Sequence, residues 1–157
     1  VIFNHAAIEE MFRGLIAWKF PASSEGVLNE VPLLGISEHG RPEKFFLGKL
    51  ARYRTKTVQE LIDESVNAHL GNFSVNNVAD VCAILTKVGV APDDVNSEFA
   101  LLTEMFARRH HIVHQADRNE APGQGQHRAR SINVGTVTGW VNATSVFVTN
   151  VLGRVPD

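Results

Sequence analysis

The sequence predicts an all-α fold, an up-and-down helical bundle of four to five main helices. Apolar residues recur at three- and four-residue spacing along successive segments, which lines them up on one helical face. Little of the chain alternates with period two, as half-buried strands do. Proline and glycine fall where the periodic segments break off.

Residues 4–19 carry Ile8, Phe12, Leu15, Ile16 and Lys19 on one face, and Pro21 closes the segment because proline cannot continue the hydrogen-bond ladder. Residues 20–41, rich in Pro, Gly, Ser and Glu, read as a long irregular connection with a short helix or turn around 27–34. Residues 43–54 predict a short helix with Phe46, Leu50 and Tyr53 on one side. Thr57 is placed to cap the next helix, whose stripe is Val58, Leu61, Ile62, Ser65, Val66, His69 and Leu70 and which Gly71 ends. Residues 77–88 turn Val78, Val81, Cys82, Leu85 and Val88 inward, with Gly89 and Pro92 as the stop. A long helix over 94–117 takes Phe99, Leu102, Phe106, Val113 and Ala116 as its stripe, and 118–130 form a polar Gly/Pro loop. The last segment, 132–152, is full of Val and Thr, which favour strands. Its length and the 3.5-residue recurrence of Val134, Val137, Val141, Ser145, Val148 and Leu152 predict a helix instead.

With 157 residues, 44% of them hydrophobic, the chain fits one packed domain over 1–157. Seventeen acids against 15 Lys and Arg give a net charge of −2, which excludes a globally basic nucleic-acid coat and leaves room for a local basic patch. The one cysteine, Cys82, excludes an internal disulfide framework and a Cys-rich zinc module. It reads as a small buried apolar residue, and a reducing, cytoplasmic location is consistent with it. No apolar run approaches the ~18–20 residues that span a bilayer, and no secretory signal pattern opens the chain, so no membrane partner is expected. The first residue is Val, which fits a domain trimmed at its N-terminus.

The segment from Arg108 to Arg118, spelled RRHHIVHQADR, gathers three of the seven histidines and three arginines. His110 and His114 are four apart and share a helical face with Thr103, Ala107 and Asp117. Arg109 falls between Phe106 and Val113, on the stripe expected to be apolar. A guanidinium there is costly unless it meets a carboxylate, a phosphate or a wet interface. Five residues separate Arg109 from His114, about 140° around an ideal helix. A long arginine, a helix end or a partner subunit is then needed to bring the two together.

This Arg-x4-His spelling, with its Ile112-Val113-His114 ending, resembles the signature of the HEPN superfamily, in particular the RiboL-PSP-HEPN type. The lead-in Phe73-Ser74-Val75-Asn76-Asn77-Val78, the Val88-Gly89-Val90 stop, the long motif helix, the polar loop and a final helix bearing Trp140 follow in that family's order. The likeness covers residues 57–151 well and 1–56 weakly. His110 departs from the pattern, since Asn or Asp often follows the motif arginine. The resemblance implies a helical bundle that dimerises through the motif-bearing helix, and in many members a metal-independent endoribonuclease without cofactor. It also suggests a toxin–antitoxin or phage-defence setting with an antitoxin or inhibitor as partner. Other members are inactive partners that bind RNA or protein, which is the alternative reading here. Carried over, Arg109 and His114 are the motif pair and His110 the polar neighbour.

These residue types suit the chemistry. RNA carries its own nucleophile, the 2′-hydroxyl, and cleavage needs a base, an acid and positive charge at the phosphorus. Histidine transfers protons near neutral pH, worth roughly 10²–10⁴-fold, and Arg109 would hold the non-bridging oxygens. His114 is the main base or acid, and His110 a second proton-transfer or positioning group. Arg108 and Arg118 suit phosphate contacts or plain surface roles. Lys44, Lys49, Arg52, Arg54 and Lys56 make one basic patch, and His127, Arg128 and Arg130 a second. Either would attract RNA phosphates or simply be solvated. A competing chemical reading pairs His110 with His114, and Asp117 a turn on, as metal ligands, although the glutamate of H-E-x-x-H is replaced by His111.

Overall fold

A computed structural model describes residues 1–34, 47–115 and 131–156. Among these the fold is all-α, with no strand. Its helices are α1 (Ile2–Lys19), α2 (Glu25–Leu28), α3 (Val58–Leu70), α4 (Val78–Lys87), α5 (Phe99–Gln115) and α6 (Val134–Leu152). Short 3-10 helices lie at Phe20–Ala22, Leu47–Tyr53 and Pro92–Glu98. None of the described helices is long and apolar enough to cross a membrane. The short helix expected around 27–34 lies earlier, as α2. The one expected over 43–54 is a 3-10 helix starting at Leu47, and Glu43 to Phe46 lie outside the described residues. Pro92–Glu98 is kinked at Val95 (φ −131°), whose side chain is buried, so the long helix starts at Phe99 rather than at 94. Residues 116–130, which hold the end of that expected helix and the polar loop, lie outside the described set.

The helices group into two compact units, Arg13–Phe73 and the pair of stretches Val1–Phe12 and Ser74–Asp157. In the unit Arg13–Phe73, Leu15, Ile16, Phe20, Val66 and Leu70 are buried. Thr57 caps α3 in a full capping box: its hydroxyl accepts from the Glu60 amide and the Glu60 carboxylate accepts from the Thr57 amide. Val58 is 76% exposed, so the stripe of α3 begins a turn later than its spacing suggests. Gly71 does follow α3, but in right-handed conformation (φ −58°). Backbone amides still close this end, Phe73 donating to Leu70 O, and Arg13 adds to it: its guanidinium donates to Leu70 O and, at 2.5 Å, to Phe73 O. Tyr53 is half-buried and its hydroxyl donates to Leu34 O, so it serves packing rather than base stacking.

In the other unit, α5 packs on both α4 and α6, and the Pro92–Glu98 turn packs on α4, α5 and α6. Phe147 is fully buried, with ring centroids 6.3 Å from Phe12 and 6.1 Å from Phe99. Asn77 caps α4 by accepting from the Asp80 amide. Gly89 ends it with φ +84°: its amide donates to Thr86 O, and the Val90 amide donates to Leu85 O at 2.8 Å. That is a Schellman ending, closed by buried Leu85 and Val90. Cys82 is only half-buried, because Ile84 takes the inward position beside Val81 and Leu85.

The ambiguous last segment is helical, with Asn133 as N-cap accepting from the Thr136 amide. Its buried face differs from the expected one. Trp140, Ala143, Thr144, Phe147 and Val151 face the core, while Val134, Val141 and Leu152 are 82%, 46% and 54% exposed. Trp and Phe remove more apolar area from water per residue than Val, so the face holding the two large rings is the one buried.

Candidate functional site

Helix α5 sinks Leu102, Met105 and Phe106 into the core and then buries no further side chain through His114. Val113, expected inward, is 50% exposed. Arg109 therefore does not interrupt a buried stripe: the stripe ends at Phe106, and the guanidinium is half-exposed one turn on. Its position needs no buried counter-charge, and the last turns of α5 present Arg108, Arg109, His110, His111 and His114 near solvent.

The histidines are drawn together within the chain. The rings of His110 and His114 lie 4.7 Å apart at 46°, and those of His110 and His111 6.4 Å apart at 80°. His110 and His114 are exposed, which leaves their nitrogens open to a ligand. His110 and His111 line a cavity of about 290 Å³ with Asn76, Asn77, Val78, Thr103, Phe106 and Ala107. On the other side, His111 joins Arg108 and Glu104 in a second cavity of about 380 Å³, closed by Ser131, Asn133, Thr136 and Trp140 of the α6 entry. Arg109 and His114 line neither cavity. The motif pair is therefore not in the wall of either pocket, and His114 meets His110 outside the cavity that His110 lines.

The wall at 76–78 is fixed by a histidine the sequence reading passed over. His5, 3% exposed, places Nε2 2.6 Å from the Val75 carbonyl oxygen. Glu9, one turn along α1, accepts from the Val75 amide at 3.0 Å and lies 3.5 Å from His5 Nδ1. The His5 ring also meets the edge of Phe106 at 5.3 Å. The only sequence signal was the i, i+4 spacing of His5 and Glu9, which many surface pairs share. Trp140 lines the second cavity, which residue spacing along the sequence does not reveal.

Arg52 is exposed, with its guanidinium 5.8 Å from the Tyr53 ring centre. Lys49 belongs to the same 3-10 helix, and its side chain is outside the described set. Lys56 of that patch is engaged by Glu64. Arg118 and Asp117 lie outside the described residues, as do Lys44, His127, Arg128 and Arg130. Comparison of the chain with protein-family models, with curated proteins and with solved structures finds no match.

Proposed function

We propose that the chain is an endoribonuclease that cleaves RNA without a metal ion, using Arg109, His110 and His114. The observation that supports this is the pair of exposed imidazoles 4.7 Å apart, on the same stretch of α5 as half-exposed Arg109, where no residue is buried. In this reaction one imidazole takes the 2′-hydroxyl proton as the 2′-oxygen attacks phosphorus. The P–O5′ bond breaks, and a second imidazole protonates the departing 5′-oxygen. The products are a 2′,3′-cyclic phosphate and a 5′-hydroxyl. His114 is the main proton-transfer group and His110 the second. The Arg109 fork offsets charge on the non-bridging oxygens.

Arg109 reaches this chemistry through a second copy of the chain. The motif turns meet across a two-fold axis, each guanidinium serving the imidazoles of the mate. Half-exposed Val113 supplies apolar area to that contact. An inhibitor protein covering the same turns would silence the site, as a toxin or defence effector requires.

The test is cleavage of total RNA by the wild type and by R109A, H110A and H114A, with thermal melting of each. Loss of cleavage with unchanged melting supports the enzyme. An inert wild type that still dimerises supports the alternative, a module that binds RNA or protein.

A further inference from the structure

His110 and His114 stand four residues apart on α5, both exposed, with ring centres 4.7 Å apart and planes at 46°. The same spacing on one helical face supplies two zinc ligands in H-E-x-x-H helices. An ion bonded to one nitrogen of each ring at about 2.0–2.1 Å, with roughly 90–110° between the bonds, sets the ring centres about 4.5–5.2 Å apart. The observed spacing falls in that interval. An exposed imidazole turns easily about χ2, a soft torsion, so aiming a nitrogen of each ring at one point costs little.

Donor chemistry narrows the ion. Imidazole suits zinc, copper(II) and nickel, whereas hard magnesium and calcium take oxygen ligands. Among the described residues no group of three or more His, Cys, Asp or Glu side chains could hold a metal ion. A structural zinc has four protein ligands and a catalytic one three, so a two-imidazole site is neither. It is an exchangeable site, its remaining positions open to water. The Arg109 cation, next to His110 in the chain, opposes a second cation and weakens the site further.

We propose that His110 and His114 together bind one divalent transition-metal ion of the zinc type, and that the bound ion shuts the ribonuclease off. Ligation uses the imidazole lone pair that would otherwise take the 2′-hydroxyl proton, so both proton-transfer groups are lost at once. The binding rests on the paired rings alone, and only the inhibition rests on the ribonuclease reading.

The experiment titrates ZnCl2, and separately MgCl2, into the EDTA-treated and dialysed chain by calorimetry, without RNA. The expected result is one saturable zinc per chain, no magnesium binding, and a Kd raised at least about tenfold in H110A and in H114A. H111A is expected to keep the wild-type Kd. Both paired rings are exposed, so either alanine variant is expected to melt with the wild type. Electron paramagnetic resonance of the copper(II) form gives a second readout, with nitrogen splittings from two imidazoles in the wild type and from one in either variant. No saturable zinc, an equal response to magnesium, or a Kd that both variants leave unchanged overturns the site. In RNA cleavage, zinc is expected to lower the wild-type rate in step with its occupancy, and EDTA to restore it. Zinc bound with the rate unchanged overturns the inhibition alone. An inert wild type that still binds zinc through the pair defeats the ribonuclease reading alone.

Discussion

His5 holds Val75 by its backbone carbonyl, 2.6 Å from Nε2, while Glu9 of the same helix takes the Val75 amide. One turn of α1 thereby satisfies both polar groups of a fully buried residue at the entry to α4. Since Asn76, Asn77 and Val78 follow directly and line the cavity with His110 and His111, the clamp sets the wall opposite the motif helix. Replacing His5 by Ala leaves a buried carbonyl unpaired, at about 1–3 kcal/mol. Urea denaturation is expected to show that loss, and a wild-type midpoint for H5A would contradict it.

The buried face of α6 is tested by contrast. Phe147→Ala removes a ring packed on Phe12 and Phe99 and is expected to cost about 3–5 kcal/mol. Val141→Thr, on the exposed face, is expected to stay within about 0.5 kcal/mol. Equal losses for the two would mean that the helix is rotated.

At Gly89 the positive φ and the Pro156 ring 3.1 Å from an added Cβ both resist a side chain. Gly89→Ala is expected to cost at least roughly 1–2 kcal/mol, read as a lowered denaturation midpoint with an unchanged slope. An Ala variant as stable as wild type would show that the α4 ending tolerates another geometry.

The capping box makes α3 sensitive to acid. Hydrogen bonds from the Thr57 amide and hydroxyl, with Lys56 nearby, hold the Glu60 carboxyl below the usual glutamate range against the opposing effect of desolvation. A carboxyl lowered on folding adds stability above its unfolded pKa and loses it as pH falls through the folded one. Thermal melting from neutral pH down into the acid range should therefore decline less in Glu60→Gln than in the wild type. Parallel melting curves against pH would remove Glu60 from the account.

Composite sites can be tested by mixing. If Arg109 acts on the mate's histidines, R109A and H114A are each inactive alone, and an equimolar mixture regains about a quarter of wild-type activity through mixed dimers with one intact site. A mixture as dead as its components would place the guanidinium and the imidazoles in one chain.

The sequence by itself determined the helices. Their periodicity, the Thr57 cap and the Gly89 stop are local properties, legible because backbone geometry repeats every 3.6 residues. It also marked the motif turn of α5, since five charged or imidazole side chains within seven residues stand out in any context. Tertiary structure decided which face each helix buries. On α6 the more numerous valines pointed one way, and the two large rings, Trp140 and Phe147, turned the helix the other. Tertiary structure also ended the α5 stripe at Phe106, so that Arg109 reaches the surface, and it brought His5 to Val75 across 70 positions of sequence. Burial is a property of what lies opposite, and a single strand of letters does not carry the opposing surface.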